Sequence, residues 1–200
     1  MQVAVVDYKG GNVQSVLFAL ERLGVTATLT ADPAVLRRAD RVLFPGEGEA
    51  SSAMRALHAA GLAAVLPTLT QPFLGICLGM QLLGRHSAEG GAGGTALLGL
   101  LPFEVAGLVP APGIKVPHMG WNTLQRPQGP LFEGLGAEAH VYFVHSYAAP
   151  VGAYTIAEAR HPGAFSAAVH RDNFYGVQFH VEKSGPVGTR ILQNFLNLTS

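Results

Sequence analysis

Strand-like and helix-like segments take turns from the first residues of this chain onward. MQVAVVD, VTATLT, RVLFPGEG and QPFLGIC are short runs rich in β-branched and apolar residues, each the length of a strand. Between the first two lies NVQSVLFALERLG, whose Val13, Val16, Leu17, Leu20 and Leu23 fall at helical spacing before Gly24 stops them. DPAVLRRA predicts a short helix capped by Asp32 with Pro33 in its first position. Helical material follows the third run through Leu66, and LGMQLLG predicts a helix begun abruptly after the fourth. Strands separated by helices must run parallel, so an open sheet with helices on both faces is expected.

The later part of the chain changes character. HSAEGGAGGT reads as a flexible loop, and LPFEVAGL, MGWNTLQ, HVYFVHSYA, AYTIAEA, AFSAAVH and FYGVQFH read as further, partly antiparallel strands. PVGTRILQNFLNL closes the chain as an amphipathic helix. Strands resume so soon after the glycine-rich stretch that residues 1–200 are expected to form one α/β domain.

Charge and composition narrow the function. The formal net charge is zero, which argues against a nucleic-acid binder. Charged residues are only 13% of the chain, against about 25% in ordinary soluble domains. An apolar docking face would explain this, and so would a bias toward Ala and Gly. MQVAVVDYKGG lacks the pattern of a signal peptide, and Pro67 interrupts the longest apolar run short of a membrane span. With a single cysteine the expectation is a soluble cytoplasmic protein whose thiol stays reduced. The histidines lack metal-ligand spacing, so neither a metal nor a cofactor is expected.

That cysteine stands in FLGICLG, flanked as Gly75-x-Cys77-x-Gly79 where the fourth strand meets its helix. A tight strand-to-helix turn brings backbones together, requires small neighbours, and lifts its central residue above the carboxyl edge of the sheet. A thiol placed there is a candidate nucleophile, and it needs a base with an orienting partner. His180 and Glu182, two apart at the end of an apolar strand, are expected to point the same way and complete a Cys77–His180–Glu182 triad. The third run ends in Gly46-Glu47-Gly48, beside the cysteine turn if the two strands are neighbours. Gly46, Glu47 and Leu78 are then candidates for an oxyanion hole. A buried structural cysteine, an ordinary glycine turn and a chance H-x-E pair are the alternatives.

GICLGMQ, FPGEG and QFHVEKSG together resemble the class I glutamine amidotransferases. DYKGGNVQSV, PHMGWN and VYFVHSY make the chain similar, over nearly its whole length, to the glutaminase subunits of imidazole glycerol phosphate synthases in that family. The resemblance implies a flavodoxin-like sheet and hydrolysis of glutamine to glutamate and ammonia. It implies substrate contacts at Gly48, Gln81, His145, Ser146 and Tyr147. It also implies a heterodimer in which a (β/α)8-barrel cyclase receives the ammonia and makes imidazole glycerol phosphate and aminoimidazole carboxamide ribotide in histidine biosynthesis. Asn12, Trp121 and Lys183 lie in family motifs around the site mouth and are expected at that interface, against readings as a helix cap, a core aromatic and a solvated lysine. The chain departs from the family at Lys9, where Gly is usual, and at Glu47, where Val followed by Gly is usual. Another class I amidotransferase, a cysteine hydrolase of similar fold, and a scaffold with an inert thiol are the competing readings. His118 is a competing base, but no acid stands two places from it.

Overall fold

The computed structural model describes residues 1–136 and 138–198. The alternating part is built from β1 (Val3–Val6), α1 (Val13–Arg22), β2 (Ala27–Thr30), α2 (Pro33–Arg38), β3 (Arg41–Gly46), α3 (Ala50–Ala59), α4 (Leu62–Val65), β4 (Phe73–Cys77) and α5 (Leu78–Gln81). The local signals work as expected. Asn12 Oδ1 accepts the N–H of Ser15 to cap α1, and Asp32 Oδ1 accepts that of Ala34 to cap α2, with Pro33 at the first position. The helix expected over LGMQLLG is a single turn: Leu82 still donates to the Leu78 carbonyl, but Leu83 and Gly84 donate three residues back, to Met80 and Gln81, as the chain bends toward the next strand.

The remainder adds β5 (His86–Ser87), β6 (Thr95–Ala96), β7 (Glu104–Gly107), β8 (His118–Thr123), β9 (His140–His145), β10 (Tyr147–Ala148), β11 (Thr155–Arg160), β12 (Ala164–Arg171), β13 (Phe174–Val177) and α6 (Gly185–Leu196). The main sheet has seven strands in the order β11-β12-β13-β4-β3-β1-β2. From β13 to β2 neighbouring strands are parallel, and β11 and β12 extend the other edge antiparallel. The glycine-rich HSAEGGAGGT is not a free loop: β5 and β6 pair antiparallel across it, and Thr95 Oγ1 donates to the Glu89 carbonyl. β8 and β9 form a separate two-stranded ribbon.

Alternate residues of each central strand enter opposite cores. Val3, Val5, Leu43, Leu74 and Ile76 join Leu20 of α1 and Ile191, Leu192 and Phe195 of α6. Ala4, Val6, Val42, Phe44 and Phe73 face Leu36 of α2 and Met54 and Leu57 of α3. A strand buried on both faces reads as an unbroken apolar run, and each fully buried Leu, Val or Phe contributes about 1.5–3 kcal/mol. The arrangement fixes the carboxyl ends of β3, β4 and β13 side by side. No described helix is long and apolar enough to cross a membrane.

Candidate active site

Cys77 ends β4 and has φ 55° and ψ −113°, a backbone conformation that L-residues avoid. Its neighbours explain how the chain holds it there. A Cβ on Gly79 would stand 1.8 Å from the carbonyl oxygen of Phe44 in the adjacent strand, and one on Gly75 would stand 2.6 Å from the carbonyl oxygen of Gly79. The turn therefore packs backbone against backbone. The register of β3 and β4 pairs Gly46 with Cys77, which brings the Gly46–Glu47–Gly48 turn beside the thiol.

A cavity of about 450 Å³ opens at this edge. Cys77, Leu78 and His180 line it, with Glu47 and Gly48 on one side and Gln81, His145, Ser146 and Tyr147 on another. Cys77 is only 6% exposed, yet its exposed part faces this cavity, and its thiol donates to the Val144 carbonyl at 3.7 Å.

His180 and Glu182 meet, but not by strand alternation. β13 ends at Val177, and Val181–Lys183 form a 3-10 turn that carries the carboxylate back to the ring. His180 Nδ1 lies 2.9 Å from Glu182 Oε1, with both side chains buried. Among the described residues the second oxygen of Glu182 is buried with no hydrogen-bond partner. Burial alone would disfavour a charged His180. The sulfur of Cys77 and the carboxylate of Glu182 outweigh it and lift the imidazole to about 10. Such a ring is protonated at neutral pH.

His118 takes no part in this cluster. It stacks on His161 with ring centroids 4.1 Å apart and lies 2.9 Å, Nδ1 to Nε2, from His145. Burial first, and the neighbouring histidines second, push His118 down to about 3; burial likewise outweighs the Tyr147 carbonyl and brings His145 to about 4. These shifts have opposite consequences for stability. A lowered pKa means that the unfolded chain alone takes protons between about 6.5 and the folded value, so His118 and His145 cost stability as pH falls from neutrality. A raised pKa means that the native state alone holds the His180 proton between about 6.5 and 10, so that contribution is complete below 6.5 and fades as pH rises. Urea midpoints measured from pH 4 to 10 should therefore peak near neutrality, and His180→Asn should flatten the alkaline side only.

The glutamine amidotransferase class-I family profile matches residues 4–198. The chain belongs to the class I glutamine amidotransferase family. It is 52% identical over 199 residues to the imidazole glycerol phosphate synthase subunit HisH of Bacteroides thetaiotaomicron, covering 99% of this chain and 100% of that protein. The HisH of Vibrio cholerae is 47% identical, with 98% of each chain covered. Among solved structures, PurLQS from Thermotoga maritima superposes with a TM-score of 0.71 at 18% identity, covering 98% of this chain and 97% of that one. A crystal structure described as glutamine amidotransferase gives 0.75 at 19%, with the same coverage. These confirm the fold read from the strand order.

Several features of this amidotransferase were not visible in its sequence. Gln178 is fully buried and donates to Cys77 Sγ at 3.8 Å. Glu89, from the β5–β6 hairpin, lines the cavity and caps α3 by accepting the Ala50 N–H at 2.8 Å. Gln81 does lie beside the cavity, but both of its amide hydrogens go to protein partners, Tyr147 O at 2.8 Å and Gln178 Oε1 at 2.9 Å.

The two departures from the family pattern also have structural settings. Lys9 has φ 66°, the left-handed region where glycine is free and lysine strained, and its N–H bonds Asp7 Oδ1 at 3.0 Å. Glu47 forms a 3.8 Å ion pair with Lys183, which also lines the cavity. Of the three expected interface residues, Asn12 is engaged as the α1 cap, Lys183 is paired to Glu47, and Trp121 is no core aromatic, being 57% exposed. No group of His, Cys, Asp or Glu able to hold a metal occurs among the described residues.

Proposed function

We propose that the chain is the glutaminase subunit of an imidazole glycerol phosphate synthase, and that Cys77, His180 and Glu182 are its catalytic triad. One observation carries the chemistry: a strained, cavity-facing thiol shares its cavity with a histidine whose far nitrogen is held by a buried carboxylate. Glutamine enters with its side-chain amide at the sulfur. The Cys77 sulfur bonds to the amide carbon, and the N–H of Leu78 and that of the Gly46–Glu47 turn receive the negative oxygen. His180 gives its proton to the leaving nitrogen, ammonia departs, and a γ-glutamyl thioester remains. A water then yields a proton to His180 and attacks the thioester carbon, which releases glutamate and restores the sulfur. Glu182 keeps the imidazole in the orientation that serves both steps.

The cavity suits a zwitterionic amino acid. Gln81 has spent its two donors and offers a carbonyl oxygen, Glu89 adds a carboxylate for the α-ammonium, and Gly48, His145, Ser146 and Tyr147 complete the wall. Ammonia released to water would be lost as ammonium, so the reading includes a cytoplasmic heterodimer with a barrel cyclase that takes it up. Asn12, Trp121 and Lys183 mark the docking side, and exposed Trp121 and Met119 supply its apolar anchor.

A glutamine analogue bearing an electrophile at the amide carbon should label Cys77 alone, with labelling abolished in Cys77→Ala. Ammonia release from glutamine should be slow for the purified chain and rise when the cyclase and its nucleotide are added. Equal turnover with and without those additions, or label on another residue, would overturn the assignment.

A further inference from the structure

Hydrogen bonds from the ribbon and from the sulfur side meet at the Tyr147 carbonyl, and each can be read donor by donor. Asn122 Nδ2 lies 3.3 Å from His118 Nε2. An amide N–H can only donate, so His118 Nε2 accepts and its proton sits on Nδ1. That proton points at His145 Nε2, 2.9 Å away, so His145 in turn carries its proton on Nδ1 and donates it to Tyr147 O at 2.9 Å. Tyr147 O also accepts from Gln81, whose other hydrogen goes to Gln178 Oε1. With its carbonyl held in this way, Gln178 is left with its own amide hydrogens turned to Cys77 Sγ at 3.8 Å.

We propose that Gln178 donates a hydrogen bond to the Cys77 thiolate, and that Gln81, itself oriented by the acceptor-only carbonyl of Tyr147, is the positioning residue that fixes which end of the Gln178 amide faces the sulfur. The inference rests on Cys77 being the nucleophile. Two observations carry it. Gln178 is 0% exposed, so its amide cannot find water in place of the sulfur. And the two contacts that orient it are short, 2.8 Å from Gln81 to Tyr147 O and 2.9 Å from Gln81 to Gln178 Oε1, with both glutamines buried. A neutral thiol accepts a hydrogen bond poorly and an anion accepts it well. The contact thus favours the charged form, and 3.8 Å is a resting distance that shortens as charge develops.

The test is the pH profile of Cys77 alkylation by iodoacetamide, followed by mass spectrometry of the full chain. Tyr8, Glu47, Glu89, His145, His180, Glu182 and Lys183 are the other titratable groups around the sulfur, and they are common to every protein compared. Gln178→Leu should move the profile up by about one pH unit, a tenfold loss of rate on its acid limb. If the single substitution unfolds the chain by orphaning Gln81, Gln81→Met combined with Gln178→Leu replaces both partners with apolar groups and should give the same displacement. A profile that overlays the wild type in a folded variant would overturn the proposal. Failure of the wild type to react with the glutamine analogue at Cys77 would instead indict the nucleophile itself, so the two failures are distinct.

Discussion

Cys77→Ala is expected to lower glutamine hydrolysis by the assembled synthase on the order of 10⁶-fold, the loss seen when a triad nucleophile is removed. The fold should survive. The side chain lines the cavity on one side and joins the core on the other, and alanine removes only the sulfur. The backbone at this position makes a sharper comparison available. At φ 55° and ψ −113° any L-residue is strained, and glycine is not. Cys77→Gly should be just as inactive yet about 1 kcal/mol more stable than Cys77→Ala, the strain relieved less the extra entropy of an unfolded glycine. Measurable turnover in Cys77→Ala would remove the thiol from the mechanism. Equal stability of the two variants would remove the strain.

Gly79→Ala should be the most damaging single methyl group in the protein. Its Cβ would stand 1.8 Å from the Phe44 carbonyl oxygen, which belongs to the backbone of β3 and has no rotamer to escape into. Either β3 or the turn must move, and both carry the site. Overpacking usually costs about 1–3 kcal/mol when side chains can yield, so a loss of roughly 3 kcal/mol or more is expected here, read from urea midpoints at unchanged slope. Activity should fall with it, because displacing Phe44 drags the Gly46–Glu47 turn away from Leu78. A Gly79→Ala protein with native stability would mean that the turn is looser than it stands in this structure.

Much of this was legible in the chain itself, for identifiable reasons. The parallel sheet followed from periodicity, which reflects burial on one helix face and on both strand faces. The thiol turn followed from Gly75 and Gly79, because close backbone approach leaves so few residues to choose from. His180 and Glu182 do meet, but by another geometry than the one expected: a 3-10 turn, not an extended strand, closes the 2.9 Å contact. Gln178 passed unnoticed since a polar residue between Val177 and Phe179 looks like ordinary strand alternation, and only the fold shows that both of its sides are buried. The link of His118 to His145 is a matter of strand register, which no local pattern encodes. The β5–β6 hairpin was hidden by glycines that resemble a linker but serve to turn a short strand back on itself.

The β8–β9 ribbon also supports the main chain of the site. Trp121, on its outer strand, is paired in register with Tyr142, and the backbone of Tyr142 accepts the His180 N–H at 2.9 Å and donates to Ser184 Oγ at 3.0 Å. The main chain that carries His180 is therefore tied to the ribbon as well as to its own turn. The exposed indole and the main chain at His180 thus share one scaffold beam, the Trp121–Tyr142 pair.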